Sequence, residues 1–232
     1  MVFSMIIQTL KSKNILLLKS ILSCKFFQFK ICKLILIILL TSCNQKISKE
    51  TVVGIQSYKG FSASKTDTIA KTIATYYNVT TVVLPVKELP KNAFTNYKAP
   101  RYRADSLIKI QKRLLSDTLS YVIGLTDKDI CITKYDKDGS VKKPINKYTD
   151  FGIMGLAYRP GKSCVVSSFR LQHKESKTHF SRLKKVAVHE FGHNLGLPHC
   201  ADKKCVMTDA VESVGTIDGA ELDLCEECKK RL

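Results

Sequence analysis

The chain has no tryptophan, only five histidines, and few acidic residues, 20 Asp+Glu against 38 Lys+Arg. It has no low-complexity tract and no internal repeat, which excludes a solenoid or a repeat array. With 44% hydrophobic and 25% charged residues its composition is that of a globular chain, not a disordered one. The shortage of acids leaves a formal charge of +18 over 232 residues, enough for one ordinary domain plus a processing segment. Such an excess can favour anionic membrane surfaces, acidic substrates or nucleic acid. The lysines are scattered, however, without a run interleaved with aromatics, so they read as a solvated basic surface and no nucleic-acid partner is expected.

No acid at all precedes Cys43, where six lysines stand. Lys25, Lys30 and Lys33 lead into an apolar run at 34–40 that is too short to span a bilayer comfortably. The run ends in Leu40-Thr41-Ser42-Cys43, similar to a bacterial lipobox, whose cysteine is lipidated and becomes the new N-terminus. Residues 1–43 are therefore expected to be a leader, residues 44–50 a polar tether, and residues 51–232 the folded domain. The expected location is export, with a lipid anchor on a bacterial membrane, at the periplasmic face or cell surface.

All five histidines lie between His173 and His199, and three of them share one pattern. His189 and His193 are four residues apart, so on a helix they face the same way, about 6 Å apart along the axis. Glu190 sits beside them. Gly196 can take the left-handed conformation that ends a helix, and Pro198 forbids its resumption. The turn then brings His199 back toward the first two. Three imidazoles with an open fourth position suit a catalytic zinc, with Glu190 in reach of its water as general base. His173 and His179 fall outside this spacing and are expected to be surface histidines.

Beyond His199 come Cys200, Cys205, Cys225 and Cys228, two close pairs of thiols that fit a closed, structural zinc site. Export favours oxidation instead, so Cys200–Cys205 and Cys225–Cys228 disulfides, or cross-pairs, are the alternative. Met207 lies between the pairs, in a position suited to a floor beneath the catalytic ion. Cys131 and Cys164 stand in apolar stretches and are expected as buried filler, a mutual disulfide being the alternative.

Upstream, β-branched or apolar residues predict strands at 51–55, 79–86 and 120–125, the last followed by another apolar stretch at 130–132. Spacing predicts helices over 61–77, through Ile69, Ile73 and Tyr77, and over 105–115, through Leu107, Ile110 and Leu114. Residues 136–140 form a turn that superficially looks like a calcium loop but lacks its later ligands. Two strand-like pieces, 153–158 and 164–171, are joined by a turn at 159–162 and form a rim along which an extended peptide can add. The metal helix is expected to start near Ser176 or Thr178, with Leu183, Ala187 and Phe191 or Leu195 facing the core.

The run from His189 to Cys228, HExxHxxGxxHC-x4-CxM-x17-CxxC, resembles the archaemetzincins, a branch of the metzincin zinc peptidases. The resemblance implies an α+β, metzincin-like fold: a twisted mixed sheet, a backing helix, an active-site helix and a small C-terminal cysteine-rich zinc-bound segment. It implies two zinc ions. His189, His193 and His199 would hold the catalytic one, Cys200, Cys205, Cys225 and Cys228 the structural one, and Met207 would be the Met-turn residue. The implied activity is hydrolysis of peptide bonds in a peptide or protein substrate by zinc-activated water, and a monomer is expected. In one place the chain departs from some metzincin branches: two residues past Met207 stands Asp209, not a tyrosine. The competing reading is a zinc-stabilised binding lipoprotein without catalysis, against which the intact Glu190 argues.

Overall fold

A computed structural model describes residues 47–113, 115–209 and 213–232. The leader and the lipidation position Cys43 lie outside the described residues. Ile47, within the expected tether, packs against the main core, and Thr51 N–H donates to Ser48 O. Among the described residues no helix is long and apolar enough to cross a membrane.

Among the described residues nine strands form two sheets. The larger runs β2 (Thr80–Val83), β1 (Val52–Ser57), β5 (Tyr121–Thr126), β9 (Ser163–Ser167), β8 (Gly155–Ala157). Its first four strands are mutually parallel, and β8 closes the edge antiparallel to β9, with Gly155 opposite Val166. The central strands are buried along almost their whole length. That is why they read as continuous apolar runs and not as alternating patterns. The smaller sheet runs β3 (Phe94–Thr95), β4 (Arg101–Arg103), β6 (Ile130–Ile132), β7 (Phe151–Ile153).

The twisted mixed sheet that the resemblance implies is present as two mixed sheets, which part at Met154. The apolar stretch expected as a single strand over 153–158 is split there, β7 pairing with β6 and β8 with β9. The piece predicted at 164–171 is likewise shorter, because Phe169–Leu171 turns into a 3-10 helix after β9.

Helix α1 (Ala63–Tyr77) buries Ile69, Ile73 and Tyr77 as its spacing predicts, and ends at Asn78 in the left-handed region, φ 52°. Helix α2 (Ala104–Arg113) buries Leu107, Ile108 and Gln111. Ile110 is only half-buried, so the buried stripe lies one position off the predicted one, and Leu114 lies outside the described residues. A short helix, α3 (Ile145–Tyr148), precedes β7. The long helix α4 (Ser176–Asn194) lies against α1 and β9 and carries the histidine pair. Two short helices, α5 (Val214–Gly219) and α6 (Glu226–Lys229), complete the chain.

Helix α4 starts at Ser176, as expected, and its first turn corrects the reading of one histidine. Its N-cap residue is Glu175, with no side-chain cap, and Thr178 Oγ1 donates to Glu175 Oε2 instead (3.1 Å). His179 is buried, not on the surface, with Nδ1 3.1 Å from Leu171 O. The 3-10 turn at Phe169–Leu171 covers the first turn of the helix and takes that ring in. His173 is exposed.

Leu183, Ala187 and Phe191 are fully buried. Phe191 meets Tyr77 and Tyr121 edge-on, with ring centroids 5.1 Å and 5.3 Å away. Burial of such a ring contributes roughly 1.5–3 kcal/mol, with aromatic geometry adding to it. One face of α4 is thereby fixed to the sheet, and the histidines are left pointing into the cleft.

Candidate metal centre and active site

The far end of α4 closes in a Schellman arrangement. Leu197 N–H donates to Gly192 O (3.0 Å) and Gly196 N–H to His193 O (2.9 Å), with Gly196 at φ +98°. This reversal does two jobs. It sends the chain back so that His199 reaches the other two histidines, and it aims Leu197 O at His193 Nδ1 (2.7 Å). His189 Nδ1 is held in the same way by Val206 O (2.8 Å), from the loop that carries Met207. A carbonyl can only accept, so both Nδ1 atoms carry the proton and both Nε2 lone pairs are free for a metal.

One ring nitrogen from each of His189, His193 and His199 lies within 4.8 Å of the others. Burial, with His193 and His199 nearby, pushes His189 down to about 4; burial chiefly lowers His193 too. Both rings are thus neutral at pH 7, the form that can ligate. The donor set fits zinc: three neutral imidazoles, two of them locked in the ligating tautomer.

Glu190 lines the same cavity, a cleft of about 210 Å³ that also takes in Ile132, Met154, Leu156, Val186, Ile217 and Ala220. Its carboxyl is buried, which pushes it up to about 8; a cation beside it acts in the opposite direction. It lies against the edge strand β8. A Cβ built on Gly155 would stand 2.6 Å from Glu190 Oε1, so only a glycine leaves this carboxylate room.

Beneath the helix, Met207 is fully buried. A Cβ on Gly192 would lie 2.6 Å from its Sδ and 3.0 Å from Tyr77 Oη, so helix and Met207 loop touch through a glycine. Tyr77 Oη donates to Val188 O (2.8 Å) on the same helix.

Cys200, Cys205, Cys225 and Cys228 bring their sulfurs within 4.8 Å of one another. Cys200 and Cys225 stand 3.6 Å apart, and Cys205 and Cys228 3.8 Å. A tetrahedral zinc with Zn–S of about 2.3 Å requires S–S edges of about 3.8 Å. These two contacts join residues distant in sequence, and all four sulfurs, not two separate local pairs, form one cluster. Burial raises the Cys205 and Cys228 thiols, an obstacle to ionisation that a bound cation removes. The cluster also braces the neighbouring histidine site. Cys200 follows His199 directly, and its N–H donates to Met207 O (2.8 Å).

Cys131 and Cys164 are free and buried, on β6 and β9 of different sheets. The turn at 136–140 spends its Asp138 carboxylate on the N–H and Oγ of Ser140, at 2.9 and 2.7 Å.

Sequence reasoning gave Gly155, Gly192 and the two carbonyl acceptors no part in the site, and named Tyr77 only for the buried face of α1. Gly192 stands inside the histidine motif, where its presence is a signal. Nothing in the sequence marks Gly155 as the neighbour of Glu190.

A mixed sheet with an antiparallel edge strand, a histidine-bearing helix beneath it, a returning third histidine and a buried methionine define a zinc metallopeptidase. Comparisons with known proteins agree. Residues 45–232 match the model of peptidase family M54. The archaemetzincin of Halobacterium salinarum is 29% identical over 170 residues, covering 69% of this chain and 87% of that protein. The one from Haloarcula marismortui is 32% identical over 155 residues, 63% of this chain and 79% of that protein. The structure of the Archaeoglobus fulgidus archaemetzincin, complexed with malonate, superposes with a TM-score of 0.62 at 26% identity. It covers 78% of this chain and 100% of that one. The chain belongs to peptidase family M54, the archaemetzincins, and acts on peptide or protein substrates.

Proposed function

We propose that this chain hydrolyses peptide bonds with Glu190 as general base, at a zinc held by His189, His193 and His199. A second zinc held by Cys200, Cys205, Cys225 and Cys228 would be purely structural. The observation that carries the reading is the cleft itself: a buried carboxylate and three converging imidazoles face one cavity. When bound, the catalytic zinc supplies Lewis-acid polarisation of the scissile carbonyl and brings the pKa of a water near ~7.

The remaining work falls to the chain's own groups. Val206 O and Leu197 O hold two ligand rings in the tautomer that presents Nε2. Glu190 Oε accepts a proton from the attacking water and delivers it to the leaving amine. The apolar lining excludes bulk water and strengthens each charge interaction made there. Strand β8 is a sheet edge, bonded on one side only to β9, and its residues line the cleft. An extended substrate adding beside it would lay a scissile bond over the histidines.

The ending at Cys43 supports a form exported and tethered to a membrane by lipid, which remains a proposal from the sequence.

Glu190→Gln tests the mechanism. The variant should keep two zinc ions per chain by metal analysis yet lose roughly 10²–10⁴-fold in kcat on an unstructured protein substrate. Unchanged turnover would refute the role of Glu190. Wild-type protein that binds zinc and cleaves nothing would favour the binding-lipoprotein reading.

A further inference from the structure

Two of the three ligand rings are steered by main-chain carbonyls at 2.8 and 2.7 Å. The third, His199, lies past the end of α4, and its side chain is 42% exposed. No helix fixes its direction. The group that faces its Nδ1 is a carboxylate: Asp209 Oδ2 stands 3.6 Å away.

Backbone pairing places Asp209 there. Cys200 and Thr208 form a parallel bridge, and Cys200 N–H donates to Met207 O. The segments His199-Cys200 and Thr208-Asp209 therefore run side by side in parallel, which brings the Asp209 carboxylate diagonally within reach of the His199 imidazole. Met207, fully buried two residues earlier, anchors the Asp209 strand from below.

We propose that Asp209 is the positioning residue of His199. Its carboxylate accepts the Nδ1 proton, fixes the tautomer, and turns Nε2 toward the ion shared with His189 and His193. The proposal rests on the zinc-site reading above. A separation of 3.6 Å exceeds a charge-assisted hydrogen bond of about 2.8 Å by less than 1 Å. A rotation of this ring, which is nearly half exposed, would close that gap.

A carboxylate acceptor does more than a carbonyl. It raises the basicity of the ring it binds, and loss of such outer partners typically weakens metal binding 10–100-fold. Two rings fixed by backbone and one by a side chain make the third ligand the replaceable one. A single substitution can therefore reach it without disturbing α4. Position 209 thus has a use of its own in this chain, beyond the absence of a tyrosine.

The test is metal affinity, measured on the purified protein by competition with a chromophoric zinc chelator. Cobalt replacement separates the two sites, because thiolate ligation gives intense near-ultraviolet charge-transfer bands and the histidine site does not. Asp209→Ala should weaken the histidine site 10–100-fold and leave the cysteine site unchanged. Asp209→Glu, which restores a carboxylate, should recover part of that loss. Wild-type affinity in the alanine variant would overturn the proposal, as would a glutamate variant no better than alanine, or equal weakening of both sites. Wild-type protein that takes up no metal at the histidines would instead overturn the zinc-site reading itself.

Discussion

Replacing Gly155 by alanine adds one methyl group at the point where the sheet edge meets Glu190. That Cβ would stand 2.6 Å from both Cγ and Oε1 of Glu190, and 2.8 Å from Cδ. Non-bonded carbons settle near ~3.5 Å or beyond, so about 0.9 Å must open. Neither backbone can easily give it. Gly155 is paired with Val166 in the sheet, and α4 is held by the fully buried Phe191 and Leu183. The glutamate side chain moves instead. A misplacement of about 1 Å in a reacting group costs on the order of 10²-fold in rate, or about 2.7 kcal/mol of transition-state stabilisation. The cost in stability is smaller. Overpacking of about 1–3 kcal/mol is partly offset by the roughly 0.5–1 kcal/mol that alanine gains over glycine in a strand. The apparent melting temperature should fall by no more than about 10 °C. The assay is kcat and KM on a fluorogenic peptide, with zinc counted in the same preparation. Gly155→Ala should lower kcat on the order of 100-fold with the histidine zinc retained. Combined with Glu190→Gln it should add little, since both changes act through one carboxylate. An alanine variant with wild-type kcat would refute the reasoning.

Two further expectations concern the helix packing and the leader. Arg182 donates to both carboxylate oxygens of Asp218, at 2.7 and 2.6 Å, and holds that acid below its ordinary value of 3.8. A depressed folded-state value means the stabilisation is full above the unfolded pKa and lost as pH falls through the folded one. Asp218 is 41% exposed, so Asp218→Asn should cost no more than about 1 kcal/mol near neutral pH, and the gap should close below about pH 3.8. Thermal melts over a pH series check this, and a gap undiminished at about pH 2.5 would contradict it. Cys43→Ser should abolish incorporation of labelled fatty acid and release the protein from membranes; labelling that persists in the variant would exclude Cys43 as the lipid site.

The residues proposed to hold metal were legible in the sequence because their spacing is local. Four-residue spacing puts His189 and His193 on one helix face, and Gly196 with Pro198 ends the helix whatever surrounds it. Strands and helices with a dense apolar signal, such as α1 and β5, were legible for the same reason. Met154 was not: one apolar stretch serves two sheets there, and sheet membership depends on partners distant in sequence. His179 looked polar enough for the surface, yet a 3-10 turn from before the helix covers it.

What the sequence by itself determined was the inventory: three imidazoles, a carboxylate, four thiols, a methionine and an ending for the helix. Tertiary structure decided which partner each of these groups meets. It gathered the four sulfurs of Cys200, Cys205, Cys225 and Cys228 into one cluster, gave His189 and His193 their carbonyl acceptors, and set Asp209 beside His199. Only packing of β8 against α4 could show that Glu190 needs a glycine opposite it. The physical reason is range. Helix periodicity and capping act within about four residues, whereas the contacts that orient a ligand ring or confine a carboxylate join segments that the fold alone brings together.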